Sequence, residues 1–580
     1  MFKWMCYLSF IVYLVAVTRT NAQDKEYEEW LKKEQGKLKD YLSEQDRKFS
    51  EFLKMEWKQT VSEKPVEAKK KPKPSVLPKE VKTETQKPSD KTQGDSKPVQ
   101  KNVDETKVEK PKSSDKIPKE SVKPEVKKET IVDKKPDTKK TEVKELPKVV
   151  EKPVTEVVKP SNEVIKKIEV VAVAPVEKIA EHKPVNTVPT ESKVAEQKSV
   201  PKESVSVPVL AINSSAVSFR EFGVDFGFPK QSKAVVHIKG EVDNKSIAKF
   251  YEDMCVSDYA PMLEAAKKQK QNLNLNDWGY GKMIYDLAVK IYGQDENEAN
   301  LFTWFMLLKS GYRTRVSYTK TKVFLLVSSD GKIFGSPYFK VGGSDNPLYI
   351  IAYNNLGVKK AVDVYLYTQD LPEAKQSFNF STLMLPKFGG KISERDIKFT
   401  FRGKAHTYKT DYDSSLSAFF EYFPQSEMPL YFTTEPSPQV KNSLLPQLKK
   451  DIEGLNERDK VSFLLAFVQQ ATDYKTDPEN FGREKPMFVE ESIRYEFSDC
   501  EDRAVLFAYL VKKLVGLEVI GLDYPDHIST AVKFSAPLQN ADFVEFKNVK
   551  YFICDATYIG ADIGACMPDY KGVVPNIISF

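Results

Sequence analysis

The sequence predicts an α+β protein with its folded mass at the two ends and a long unstructured stretch between them. Three observations predict this. From Lys58 to Ser218 there is no Phe, Tyr or Trp, although aromatics make up 11% of the chain. The C-terminal region mixes apolar runs of strand length with apolar residues at helical spacing. Near the C-terminus a helical pattern closes at Gly516, two apolar strand-like runs follow, and the same order recurs upstream. A segment rich in Lys, Glu, Pro, Val, Ser and Thr cannot bury enough apolar area to offset chain entropy. The net charge of +6 is small beside 89 basic and 83 acidic residues, and no clustered basic face argues for nucleic-acid binding.

Residues 1–22 read as a cleaved signal peptide: Lys3, an apolar run from Leu8 to Val17, then Thr20-Asn21-Ala22. The run is too short to span a bilayer as a helix, and no later run is long enough either. The mature protein is therefore expected to be secreted or periplasmic and not integral to a membrane. Of the cysteines left after cleavage, Cys255, Cys500, Cys554 and Cys566, at most one pair is expected, Cys554 with Cys566.

Residues 23–59 carry an eleven-residue repeat: YEEWLKKEQGK, LKDYLSEQDRK and FSEFLKMEWKQ. A period of eleven keeps one apolar stripe on one helix face, giving a rod of about 50 Å. Such a stripe needs a partner. Docking on the chain's own folded domain and self-association or envelope contact both stand at this level. Residues 60–210 form the Lys/Pro/Glu/Val-rich linker, expected to be disordered and to act as a tether.

The chemistry lies in YEFSDCEDRAVLFAYLVKKLVG, residues 495–516. Ala504, Phe507, Ala508, Val511 and Leu514 recur at helical spacing, and Gly516 is a natural stop. Ser498 and Glu501 fit a capping box, so the helix should begin at Ser498 or Asp499. Cys500 then sits in the first turn, where the helix dipole favours thiolate. His527 opens one following strand and Asp555 lies on another. A thiol, an imidazole and a carboxylate in this order suit nucleophilic catalysis: Cys500 attacks, His527 moves the proton and Asp555 orients the ring. Asp502 and Arg503 read as a structural pair or a solvated face. His237 and His406 have no partner at ligand spacing, so no metal site and no cofactor are expected.

With these residues in place, the chain resembles the transglutaminase-like superfamily, whose core is papain-like. The resemblance covers residues 436–580, including FVQQATDYKTDPENFGREKP (467–486). It is similar to secreted bacterial members with a D-C-E-D motif before an apolar helix, here Asp499, Cys500, Glu501 and Asp502. The resemblance implies Cys500 as nucleophile, His527 as base and Asp555 as orienting group. Members include crosslinkers, peptidases, amidases and inactive binders. Crosslinking members often have an aromatic residue after the Cys, Trp soon after the His and Pro after the Asp. Here Glu501, Ile528-Ser529 and Ala556 stand there, which weighs against crosslinking. The calcium dependence of some animal members is not expected, because no acidic loop matches a known calcium pattern.

A shift of 205 residues lays CEDRAVLFAYLVKKLVG (500–516) on DENEANLFTWFMLLKSG (295–311). Asp295 takes the nucleophile position and Lys322 the His position. Residues 211–345 thus read as a degenerate, catalytically dead transglutaminase-like copy. Between the copies, 346–435 is rich in strand-like runs (LYIIAY, VDVYLYT, FNFSTLML, IKFTFRG, PLYFTT) and is expected to be a β-rich subdomain.

The function expected from this reading is a secreted thiol enzyme. It forms an acyl-enzyme at Cys500 from an amide of a protein or cell-wall peptide and hydrolyses it. The rival is a non-catalytic envelope scaffold that binds partners with the same fold.

Overall fold

Phe49, Leu53 and Trp57 are buried, so the end of the repeat segment is spent on the chain's own core. The computed structural model describes residues 33, 40, 42–67, 216–230, 235–341, 346–354 and 357–580. The signal peptide, most of the first two repeat blocks and the linker from 68 to 215 lie outside the described residues. Residues 42–53 are helical (α1). Phe49 meets Tyr251 and Tyr367 edge-on at 5.3 and 5.9 Å. Asp46 accepts from Tyr251 Oη at 2.7 Å and pairs with Lys309. Each such apolar burial contributes about 1.5–3 kcal/mol. Of the two partners open to this stripe, the one observed is the chain itself.

The helix does not run through the third repeat block. Trp57 folds back so that Nε1 donates to Leu53 O at 2.8 Å, and its ring packs on Tyr318 and Tyr367. Lys58–Val61 then form strand β1. Glu63 bridges Tyr338, and Val66 O accepts from Gly335 N. Residues 60–67 are therefore part of the folded domain and not of the linker.

The upstream half opens with a hairpin, β2 (Ala216–Glu221) and β3 (Val224–Pro229). Its two-residue turn has φ 48° at Phe222 and 72° at Gly223, the two positive angles a type I′ turn needs. Helices α2 (Asn244–Val256), α3 (Ala260–Asn272), α4 (Asp277–Tyr292) and α5 (Glu296–Lys309) follow. Every α5 residue from Glu298 to Leu308 is buried, as expected of a helix that is apolar on most faces. Its N-cap Asp295 accepts from Glu298 N at 3.0 Å. Strands β4 (Thr314–Tyr318), β5 (Val323–Ser328), β6 (Tyr338–Phe339), β7 (Leu348–Ile351) and β8 (Asp363–Leu366) form an antiparallel sheet. Their order is β8-β4-β5-β7-β6, and β1 extends the β8 edge.

The downstream half repeats this plan. Its hairpin is β9 (Ile392–Phe401) and β10 (Lys404–Asp413), turning through Arg402 (φ 48°) and Gly403 (φ 80°). Next come α6 (Ser414–Glu421), α7 (Met428–Thr433), α8 (Pro438–Ile452) and α9 (Glu457–Ala471). A short parallel pair, β11 (Asp473–Tyr474) with β12 (Phe497–Ser498), brackets α10 (Asp477–Phe481) and α11 (Val489–Arg494). Then α12 (Cys500–Leu514) precedes β13 (Val519–Asp523), β14 (Ile528–Val532), β15 (Phe543–Phe546), β16 (Val549–Cys554) and β17 (Asn576–Ile578). Their order is β17-β13-β14-β16-β15, strand for strand that of the upstream sheet. Each sheet curls as a half-barrel.

The registers agree as well. Thr314 faces Val327 and Tyr318 faces Val323; at the same 205-residue shift, Val519 faces Val532 and Asp523 faces Ile528. The β4–β5 turn is closed by Thr319 N to Lys322 O at 2.8 Å, and the β13–β14 turn by Tyr524 N to His527 O at 2.8 Å. The chain is a mixed α/β protein whose two halves share one strand order. Two expected boundaries therefore move. β7 and β8 belong to the upstream sheet, so that half extends past residue 345. No separate β-rich subdomain occupies 346–435: FNFSTLML is not a strand, PLYFTT lies in α7 with Pro429 in its first turn, and IKFTFRG belongs to the downstream hairpin. Among the described residues no helix is long and apolar enough to cross a membrane.

Candidate active site

Cys500 is the first residue of α12, as its capping sequence predicts, but the cap is one residue further on than Ser498. Asp499 is the N-cap, and Asp502 Oδ2 accepts its backbone N–H at 3.1 Å. Ser498 instead bonds Thr472 Oγ1 and accepts from Arg503 Nε at 3.1 Å. Gly516 closes the helix, with φ +79° and its N–H on Val511 O at 3.0 Å.

His527 stands at the mouth of β14, and Asp555 follows β16 directly. His527 Nε2 and Asp555 Oδ2 are 2.8 Å apart, and Asp555 Oδ1 accepts from Thr557 N at 2.9 Å. Burial opposes the charge on Asp555. The His527 charge and hydrogen bond, with the Thr557 N–H, outweigh it and hold the carboxyl below its usual range. An ionised carboxylate has no proton to give, so the Nε2 of His527 is the donor in this pair, and a neutral ring leaves its lone pair on Nδ1. That Nδ1 has no hydrogen-bond partner. Tyr570 stacks on the His527 ring at 4.9 Å and lies within electrostatic reach of Cys500. His527 and Asp555 are thus paired, and Tyr570 links them to the surroundings of Cys500. The Cys500 Sγ–H donates to Glu501 Oε2 at 3.1 Å.

The site is closed. Cys500 and His527 are 0% exposed and Asp555 3%. Tyr570, whose hydroxyl donates to Asp526 Oδ1 at 3.0 Å, forms the cover over the imidazole. Replacing Tyr570 with Ala is expected to speed iodoacetamide alkylation of Cys500 on the order of tenfold, read by peptide mass spectrometry. An unchanged rate would mean that other residues close the site.

Sequence reading missed two sets of residues. One is the frame that holds the Asp555 loop. Gln469 Nε2 donates to Tyr558 O and Ala561 O, each at 3.0 Å, while its Oε1 accepts from Gly560 N at 3.2 Å. Buried Arg503 donates to Thr472 O at 2.8 Å and Ala556 O at 3.4 Å. Arg503 and Asp502 are therefore neither solvated nor joined to each other by the pair expected.

The other set is a nest of carboxylates around the thiol. Asp499, Cys500 and Glu501 offer ligand atoms within 4.8 Å of one another, as do Asp477, Asp499 and Asp502, and Asp477, Glu484 and Glu501. Asp499 is fully buried beside Glu501. Burial, then the neighbouring carboxylates, pushes Asp477 and Asp499 well above their usual range. Burial and Glu501 push Asp502 up to about 7. Lys485 is committed to Glu491. Such a nest takes protons or a hard cation, and oxygen ligands of this kind suit calcium. The expectation of no metal site weighed histidine and cysteine spacing and one calcium-loop pattern, and did not consider these carboxylates. At pH 7.5, calcium in large excess is expected to raise the melting temperature by about 5 °C. The shift should shrink at pH 5 and in Asp499→Asn. No shift at pH 7.5 would leave the nest to protons alone.

None of the described cysteines, Cys255, Cys500, Cys554 and Cys566, is in a disulfide, within the expected limit of at most one pair, and Cys554 and Cys566 are not joined. His237 bonds Glu298 and His406 bonds Asp451. Compared with protein-family models, with curated proteins and with solved structures, the chain matches none.

Proposed function

We propose that this chain is a secreted or periplasmic thiol hydrolase of transglutaminase-like type, acting on amide bonds of a protein or cell-wall peptide. The observation that carries the reading is the His527–Asp555 pair at 2.8 Å, with His527 leading into β14, which packs against the helix that Cys500 opens. His527 Nδ1 takes the Cys500 proton, and sulfur attacks the amide carbon. The C–N bond breaks as His527 protonates the leaving amine. Water, deprotonated by the same imidazole, then attacks the thioester and releases a carboxylate and Cys500. Glu501 beside the thiol and the lack of a marked amine site favour water over an amine acceptor. A non-catalytic scaffold is the second reading, favoured by the complete burial of Cys500 and His527.

The test is the pH dependence of Cys500 alkylation in the wild type and in Tyr570→Ala, each with and without His527→Ala. Cys255 and Cys566 serve as internal controls, since burial above all pushes them up to about 12 and about 11. Catalysis predicts that Cys500 reacts below pH ~8.5, the free-thiol reference, and loses this without His527. A Cys500 that tracks Cys255 in all four proteins leaves the scaffold reading.

A further inference from the structure

The internal repeat places a second cleft where the first half would carry its own triad. Lys322 takes the His527 position by register and by the turn hydrogen bond. Glu296 takes that of Glu501. Ile351 faces Leu325 as Cys554 faces Thr530, so Ala352 takes the place of Asp555. Nucleophile, base and orienting carboxylate are all gone, yet the space is not filled. A cavity of about 490 Å³ lies there, lined by Glu296, Lys322, Phe324, Ile350, Ala352 and Val358 among others. That is within the roughly 300–1,000 Å³ of small-ligand sites.

Its walls are sorted by chemistry. Phe324, Ile350 and Val358 offer an apolar side. Asn297 Oδ1 accepts from Val323 N at 2.8 Å, and Asn300 Nδ2 donates to Val323 O at 3.0 Å. These bonds fix the start of β5 and hold Lys322 at the rim. Among the described residues neither Lys322 nor Glu296 makes an ion pair. The cavity therefore presents one cation, one anion and an apolar wall. A ligand that satisfies all three has a carboxylate, an N–H donor and an apolar side chain on one short frame.

We infer that the upstream cleft binds the free carboxylate end of a peptide, with its terminal carboxylate on Lys322, a backbone N–H toward Glu296 and an apolar side chain against Phe324. The inference rests on the reading of the downstream cleft as a peptide site, whose hydrolysis would release such an end.

The test uses the full chain carrying Cys500→Ser, so that the probe is not consumed. The probe is fluorescein-labelled Gly-Ala-Val-Leu, as the free acid and as the C-terminal amide, followed by anisotropy. The free acid is expected to bind about tenfold tighter than the amide. Lys322→Glu should abolish that preference, and Ala352→Asp, which restores a carboxylate to the cavity, should weaken the free acid. His527→Ala should change neither. Equal binding of acid and amide, or no binding, overturns the inference. So does loss of binding in His527→Ala, which would place the peptide downstream, and so does octanoate competing as well as unlabelled Gly-Ala-Val-Leu. Peptide binding without His527-dependent reactivity at Cys500 would remove the catalytic reading and leave this site standing. The reverse result would remove this site alone.

Discussion

Asp555→Asn is expected to lower turnover of any amide the wild type cleaves by about 10³–10⁴-fold, with little change in melting temperature. The reason is proton bookkeeping at the imidazole. Asp555 is held ionised, so His527 donates to it from Nε2, and a neutral ring then has Nδ1 as its acceptor. An Asn amide can donate to Nε2 instead. The ring then carries its hydrogen on Nδ1 and cannot take the proton of Cys500. Asn keeps the shape of Asp and can still accept from Thr557 N, so the loop should stay folded. Single-turnover kinetics against a quenched fluorogenic peptide would measure the effect. A loss of less than about tenfold would mean that Asp555 does not set the ring. A drop in melting temperature of matching size would mean that the loss is structural.

The site was legible in the sequence to the extent that it is local. The start of α12 follows from capping residues next to an apolar helix, and the error of one residue arises because Ser498 and Asp499 are both good caps. The tighter fit goes to Asp499, since Arg503 and Thr472 claim the Ser498 hydroxyl. The repeat was legible because α5 and α12 share their apolar spacing and a closing Gly. Its extent was not. β7 and β8 read as a separate β region, because sheet membership is decided by pairing across the chain.

The carboxylate nest and the aromatic cover were hidden for the same reason. Asp477 and Glu484 reach Glu501 because β11 and β12 pair and bring the intervening segment to the helix start. Tyr570 lies in a 3₁₀ turn with no periodic pattern to mark it. A signal was present for the nest: Asp477, Glu479, Glu484, Glu490, Glu491, Asp499, Glu501 and Asp502 fall close together in a segment with few basic residues. Of these, only Asp502 reads from the sequence as a structural pair with Arg503 or a solvated face.

The same nest makes Arg503 the side chain whose loss should cost most. Its guanidinium is buried among Ser498, Thr472 O, Gln469 O and Ala556 O. Asp502 and Asp499 lie within its electrostatic reach, and burial lowers its own proton affinity. Arg503→Met fills similar volume but leaves those carbonyls unbonded and removes a positive charge from within reach of Asp499 and Asp502. The expected destabilisation is about 3–5 kcal/mol, read by urea unfolding.

The pH dependence separates the two contributions. Carboxylates with raised folded-state pKa values add stability below their unfolded pKa and lose it as pH rises through the folded value. For Asp502 that window runs from the usual carboxylate range up to about 7. Wild-type stability in chelator should therefore fall from pH 5 to pH 8. In Arg503→Met the fall should steepen, because each ionisation is less compensated. A variant less stable than wild type by the same amount at both ends of that window would assign the whole loss to the unbonded carbonyls. A variant as stable as wild type at pH 8 would mean that Arg503 does not offset the nest at all.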